Sequence, residues 1–198
     1  MILLGLTKIG VVCALINENL RMDPLIHSIG SAKVKAVIFD AELEQAICDV
    51  YQTLKEKKLL FYCHGELRNT SIPAASLRDK MSKYRSDCAI AKHDGNFSDV
   101  ACYIYTSGTT GLPKAAIIRQ ARFVLAAMMI KTVLKLKSHD ITYNALPLYH
   151  TVGALFGVGS CFVCGQTVVI RRKFSASKFW DECLKYNCTV KFIVSQCD

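Results

Sequence analysis

An α/β fold with mainly parallel sheets covered by helices is predicted for this 198-residue chain by three observations. Short β-branched runs alternate with stretches of helical periodicity. Polar segments rich in Gly, Ser, Asn and Pro separate them. The composition, 52% hydrophobic and 21% charged, is that of a chain able to bury a core and excludes a disordered one.

The elements follow in order. Val11 to Ile16 is a β-branched run. Asp23-Pro24 reads as an N-cap followed by Pro at the first helical position, with a helix to about Ala32. Val34 to Phe39 is a second strand. From Ala41 to about Lys55, Leu43, Ala46, Ile47, Val50, Tyr51 and Leu54 fall at helical spacing. Leu59 to Cys63 is a third strand, which completes a β-α-β-α-β unit. Residues 64–96 read as a loop-rich connection with a short helix around Ala75 to Tyr84. Strands are predicted at Val100 to Tyr105 and Ala115 to Ile118, and a helix from Arg122 to Leu136. The chain closes with a helix over Ser175 to Tyr186, capped by Ser175 or Ser177, and a strand from Thr189.

Between Asp140 and Arg171 there is no charged residue, a length at which a membrane span must be weighed. Pro147, His150 and four glycines interrupt it. It divides into a strand (Ile141 to Leu146), a small-residue helix (Thr151 to Cys164) and a strand (Thr167 to Ile170), as a buried α/β layer does. The net charge of +9 is spread along the chain, with no alternation of Arg and aromatics, so no nucleic-acid partner is expected. Ten cysteines at irregular spacing point to reduced thiols of an intracellular, cytosol-facing chain. Cys13, Cys48, Cys102 and Cys161 read as small buried hydrophobes. The Cys161/Cys164 pair lacks the second pair or His that a zinc site needs, and no residue is assigned as a metal ligand.

The chemistry concentrates in residues 103–114, Tyr-Ile-Tyr-Thr-Ser-Gly-Thr-Thr-Gly-Leu-Pro-Lys. A strand empties into four hydroxyls (Thr106, Ser107, Thr109, Thr110), two glycines (Gly108, Gly111) and Lys114. Glycines let backbone N–H groups approach a ligand, successive N–H groups form an anion nest, and a lysine adds a point charge suited to phosphate. The alternative is a polar turn between strands. The string is not a Walker A loop, because Pro113 precedes the lysine and a strand rather than a helix follows.

This string resembles the signature phosphate loop of the adenylate-forming superfamily, which includes acyl-CoA synthetases, peptide-synthetase adenylation domains and luciferases. Three further stretches resemble the fatty-acid transport protein / very-long-chain acyl-CoA synthetase family. They are Lys8-Ile-Gly-Val-Val-Cys-Ala-Leu-Ile-Asn17 with Asn19-Leu-Arg21, Leu146-Pro-Leu-Tyr-His-Thr-Val-Gly153, and Arg171-Arg-Lys-Phe-Ser-Ala-Ser-Lys-Phe-Trp180. The resemblance implies part of the large N-terminal domain of an adenylate-forming enzyme. It implies a fatty acid–CoA ligase that uses ATP, Mg²⁺ and coenzyme A, forms an acyl-adenylate, and is linked to fatty-acid uptake at the endoplasmic reticulum or plasma membrane. Tyr105, Thr106, Ser107, Gly108, Thr109, Thr110, Gly111 and Lys114 would bind the nucleotide. Lys114 would also stabilise the leaving pyrophosphate, and His150 would act beside the carboxylate and α-phosphate. Gly153 and Gly157 would let their helix approach either the acyl chain or its packing neighbours.

The likeness weakens over 63–95 and ends near Val190. The expectation is a partial AMP-binding domain over 1–190, truncated at both ends and inactive alone, with a divergent tail at 191–198. Two other readings stay open: a non-catalytic fragment that binds phosphate or acyl groups, and an adenylating enzyme for another carboxylate.

Overall fold

The computed structural model describes residues 2–68, 71–84, 94–106 and 111–192. The chain forms two compact units, Met1–Asp94 with Tyr105–Ala116, and Gly95–Ile104 with Ile117–Asp198.

In the first unit, helix α1 (Ile2–Lys8) leads to strand β1 (Cys13–Leu15), the central part of the β-branched run. Helix α2 (Met22–Ser31) follows. Its N-cap is Arg21, in extended conformation and with no capping side chain, and not Asp23. Asp23 lies in the first turn, where its charge suits the helix dipole. Strand β2 (Ala36–Asp40) turns into helix α3 (Glu44–Leu54) through a short 3₁₀ turn, in which the Asp40 carboxylate accepts from the Glu42 amide at 3.1 Å. Ala46 and Ile47 are followed by Val50 and Leu54 at helical spacing, and all four are buried. They pack with Leu25, Ile29, Phe39, Phe61, Cys63 and Ile72 into one core. Each fully buried aliphatic side chain there contributes about 1.5–3 kcal/mol relative to exposure.

Strand β3 (Leu60–His64) pairs in parallel with β2, Ala36 opposite Leu60 through Asp40 opposite His64. A strand not anticipated from sequence, β4 (Ala74–Ser76), extends this sheet in parallel on β3. Ser76 then caps helix α4 (Leu77–Ser82), its hydroxyl accepting from the Asp79 amide at 3.1 Å.

Strands β5 (Val100–Thr106) and β6 (Lys114–Arg119) carry the chain from one unit to the other, in a sheet of order β1-β5-β6. Helix α5 (Gln120–Val133) comes next. The uncharged stretch resolves into strand β7 (Ile141–Asn144), a π-helix (Val152–Gly159), helix α6 (Ser160–Cys164) and strand β8 (Thr167–Ile170). Among the described residues no helix is long and apolar enough to cross a membrane. Helix α7 (Ala176–Lys185), with Ser175 at its N-cap, buries Phe179 and Cys183. Strand β9 (Val190–Phe192) continues past residue 190 and completes the parallel sheet β8-β7-β9.

Polar side chains lock this sheet. The Tyr143 hydroxyl donates to Glu182 at 2.8 Å, and Glu182 receives Arg171 at 2.6 Å. Tyr143 is fully buried and meets Phe179 edge-on at 5.3 Å. Burial, then the bond to Glu182, pushes its hydroxyl up to about 12. Asn144 is also fully buried. Its amide donates to the Gly153 carbonyl at 3.0 Å, and its side-chain oxygen accepts from the Leu146 amide at 3.2 Å. Among the cysteines assigned to the core, Cys102 is buried, whereas Cys13, Cys48 and Cys161 are half-buried.

Tyr143 holds its proton more tightly in the fold than in the unfolded chain, so its contribution is complete below pH 10 and is lost as pH rises towards 12. Denaturant melts of wild type and Tyr143→Phe from pH 8 to 12 are expected to differ in this window, with the variant lacking that part of the decline. A Cβ at Gly157 would collide with the Asn144 side chain. Gly157→Ala is therefore expected to destabilise by about 1–3 kcal/mol in equilibrium unfolding.

Candidate phosphate-binding site

Strand β5 delivers Tyr105 and Thr106 to the start of the loop. Tyr105 is buried, and its hydroxyl donates to the Ser28 carbonyl at 2.5 Å. Helix α2 ends at Ser31, and the Ser28 carbonyl also accepts from the Ser31 hydroxyl at 3.1 Å. Tyr105 is thus a second donor to that carbonyl and ties the end of β5 to α2. Ser107, Gly108, Thr109 and Thr110 lie outside the described residues.

The exit of the loop is defined in detail. Gly111 has φ +82°, the left-handed region that glycine adopts without strain, and a side chain there would meet nothing within 4 Å. The Pro113 carbonyl lies 3.1 Å from His27 Nε2. A carbonyl oxygen can only accept, so Nε2 carries the proton. Lys114 opens β6 and is exposed, and among the described residues it forms no ion pair. Its carbonyl is 3.5 Å from the Thr106 hydroxyl, which donates across the neck of the loop. Both ends of the loop therefore reach helix α2, through His27 and Ser28. His27 carried no expectation from sequence, because its partner lies 86 residues away.

An open glycine turn beside an exposed lysine fits a polyphosphate: it leaves room for the anion and supplies a cation. A cleft of about 900 Å³ near Ala41 has the wrong sign for such a ligand, with Glu42, Glu44 and Glu66 against Arg68.

The structure thus brings Tyr105, Thr106, Gly111 and Lys114 together in the first unit. His150 belongs to the second. It lies in the turn between β7 and the π-helix, with its side chain exposed and its ring 4.6 Å from that of Tyr149. Its amide donates to the Pro147 carbonyl at 3.1 Å, and its carbonyl receives the Ala154 amide at 2.9 Å. The turn is fixed from behind by Asn144, another residue that carried no expectation. Gly153 and Gly157 are close-packing positions: side chains there would strike the Leu146 and Pro147 carbonyls and the Asn144 amide. Burial raises the Cys161 and Cys164 thiols, and the Cys161 thiol donates to the Gln166 carbonyl at 2.6 Å.

Comparison with known proteins bears on this arrangement. The chain is 46% identical over 189 residues to long-chain fatty acid transport protein 1 of Rattus norvegicus; the match covers 94% of the chain and 29% of that relative. The chain thus spans about three-tenths of the length of the relatives it matches. In fold it is similar to a putative long-chain-fatty-acid CoA ligase from Rhodopseudomonas palustris, with TM-score 0.82 and 21% identity, covering 98% of this chain and 47% of that one. It is also similar to ATP-bound MatB from the same organism, with TM-score 0.78 and 22% identity, covering 93% and 35%. The model of the AMP-binding enzyme family matches residues 1–197, almost the whole sequence, and the chain belongs to that family.

Proposed function

We propose that this chain carries the ATP-phosphate site and part of the acyl side of a ligase that joins long-chain or very-long-chain fatty acids to coenzyme A through an acyl-adenylate, in a protein linked to fatty-acid uptake. The observation that carries the reading is the Gly111 turn with the exposed Lys114 at the exit of the Thr106–Lys114 string, in a chain 46% identical to a long-chain fatty acid transport protein. When bound, ATP would supply the adenylyl group that passes to the carboxylate as pyrophosphate leaves, and Mg²⁺ would offset charge on the phosphate oxygens. The residues of this chain bind and orient. Tyr105 sets the start of the loop. Thr106, Ser107, Gly108, Thr109, Thr110 and Gly111 present hydroxyls and backbone N–H groups to the phosphates, and Lys114 balances the charge that grows on the departing pyrophosphate. His150 orients the carboxylate and the α-phosphate. The full-length protein works at a membrane surface facing the cytosol, at the endoplasmic reticulum or plasma membrane.

Amine labelling tests the nucleotide site directly. MgATP is expected to protect Lys114 while leaving the exposed Lys137 unprotected, and Lys114→Ala is expected to weaken MgATP binding about tenfold or more, the loss of one charge-assisted contact. Absence of protection would remove the reading. Exchange of labelled pyrophosphate into ATP then separates the acid used. Exchange driven by a long-chain acid supports the ligase, and exchange driven only by a short or aromatic acid moves the reading to another carboxylate. Protection without any exchange assigns binding alone to this chain.

A further inference from the structure

We infer that His27 is a positioning residue for Lys114, acting through the Pro113 carbonyl; the inference rests on the proposed reading of Lys114 as the phosphate-binding cation. The Pro113 carbonyl and the Lys114 amide belong to one planar peptide unit, so fixing one fixes the other. Proline has a locked φ and no N–H, which leaves the carbonyl as its one backbone hydrogen-bonding group. His27 Nε2 takes that carbonyl at 3.1 Å. On the other side of the Lys114 Cα, the Thr106 hydroxyl takes the Lys114 carbonyl at 3.5 Å. The lysine therefore leaves a backbone held on both flanks, from α2 on one side and from β5 on the other.

The next residue of the same helix strengthens the case. The Ser28 carbonyl receives Tyr105 at 2.5 Å, so consecutive residues of one helical turn hold the end of β5 and the start of β6. Gly111, between these two points, has a left-handed backbone with open space beside it. A backbone with such freedom directs a lysine only if its ends are fixed, and the His27 bond fixes the nearer end.

The reach of the donor provides the test. A Gln at position 27 places an amide N–H at about the reach of Nε2, and an Asn places it at that of Nδ1. His27→Gln, His27→Asn and His27→Leu are compared in the full chain, with melting temperature confirming the fold of each. In the absence of nucleotide, hydrogen–deuterium exchange over Pro113–Arg119 is expected to quicken in the Asn and Leu variants and to stay near wild type in the Gln variant. The Kd for MgATP is expected to rise about fivefold in the Asn and Leu variants, the loss of one hydrogen bond, and to return within about twofold in the Gln variant. The positioning role is overturned if exchange and Kd match wild type in all three variants. It is equally overturned if the Gln variant loses as much as the Asn variant. If wild type binds no MgATP but the exchange difference between the Gln and Asn variants persists, His27 does position the Lys114 peptide, and the phosphate reading of Lys114 is what fails.

Discussion

A parallel strand leaves its sheet with backbone groups that no ladder partner takes, and a buried polar group left unpaired costs roughly 1–3 kcal/mol. That constraint organises both units of this chain. In the second, Asn144 ends β7 and turns its side chain to the Leu146 amide and the Gly153 carbonyl, binding the turn that carries His150 to the helix that follows it. In the first, side chains join strand and loop to a helix: Tyr105 adds a second donor to the Ser28 carbonyl, and His27 takes up the Pro113 carbonyl at the loop exit. These contacts fasten residues 105–116 to the first unit, although the strand residues on either side of that segment belong to the second.

Much of the architecture was legible because burial repeats at the period of each element. Strand β8 runs from Thr167 to Ile170, as its β-branched run implied, and the spacing of Ala46, Ile47, Val50 and Leu54 marked the buried face of α3. The failures have local causes. Strand β4 is Ala-Ala-Ser, with no β-branched or aromatic residue, and only its pairing with β3 makes it a strand. Asp23-Pro24 carries the residue types of a cap, yet the helix begins two residues earlier, at Met22, behind an Arg that caps nothing. The stretch expected as a single helix is π-helical over Val152–Gly159 before becoming α-helical, with Gly153 and Gly157 packed too closely for a side chain.

The candidate site divides along the same line. Residue type and spacing identify the Thr106–Lys114 string, since phosphate chemistry needs those groups in sequence. What holds the string is not written near it. His27 and Ser28 lie 86 and 77 residues from their partners, and a contact of that separation leaves no periodic trace. Asn144 is closer to what it holds, but an Asn at the end of a strand has the same letter whether it is buried or exposed.

The thiols give the fold one more property. Cys63, Cys102, Cys183 and Cys188 are buried, and burial is the first cause that raises the Cys63 and Cys188 thiols, so packing covers these sulfurs. Unfolding returns them to water and to thiolate chemistry. Oxidation of these four is therefore gated by folding: an opened molecule exposes sulfurs that the packed chain covers. Redox damage at those positions would track the population of open molecules, whereas the half-buried Cys13, Cys48, Cys161 and Cys164 stay open to reagents in the folded chain.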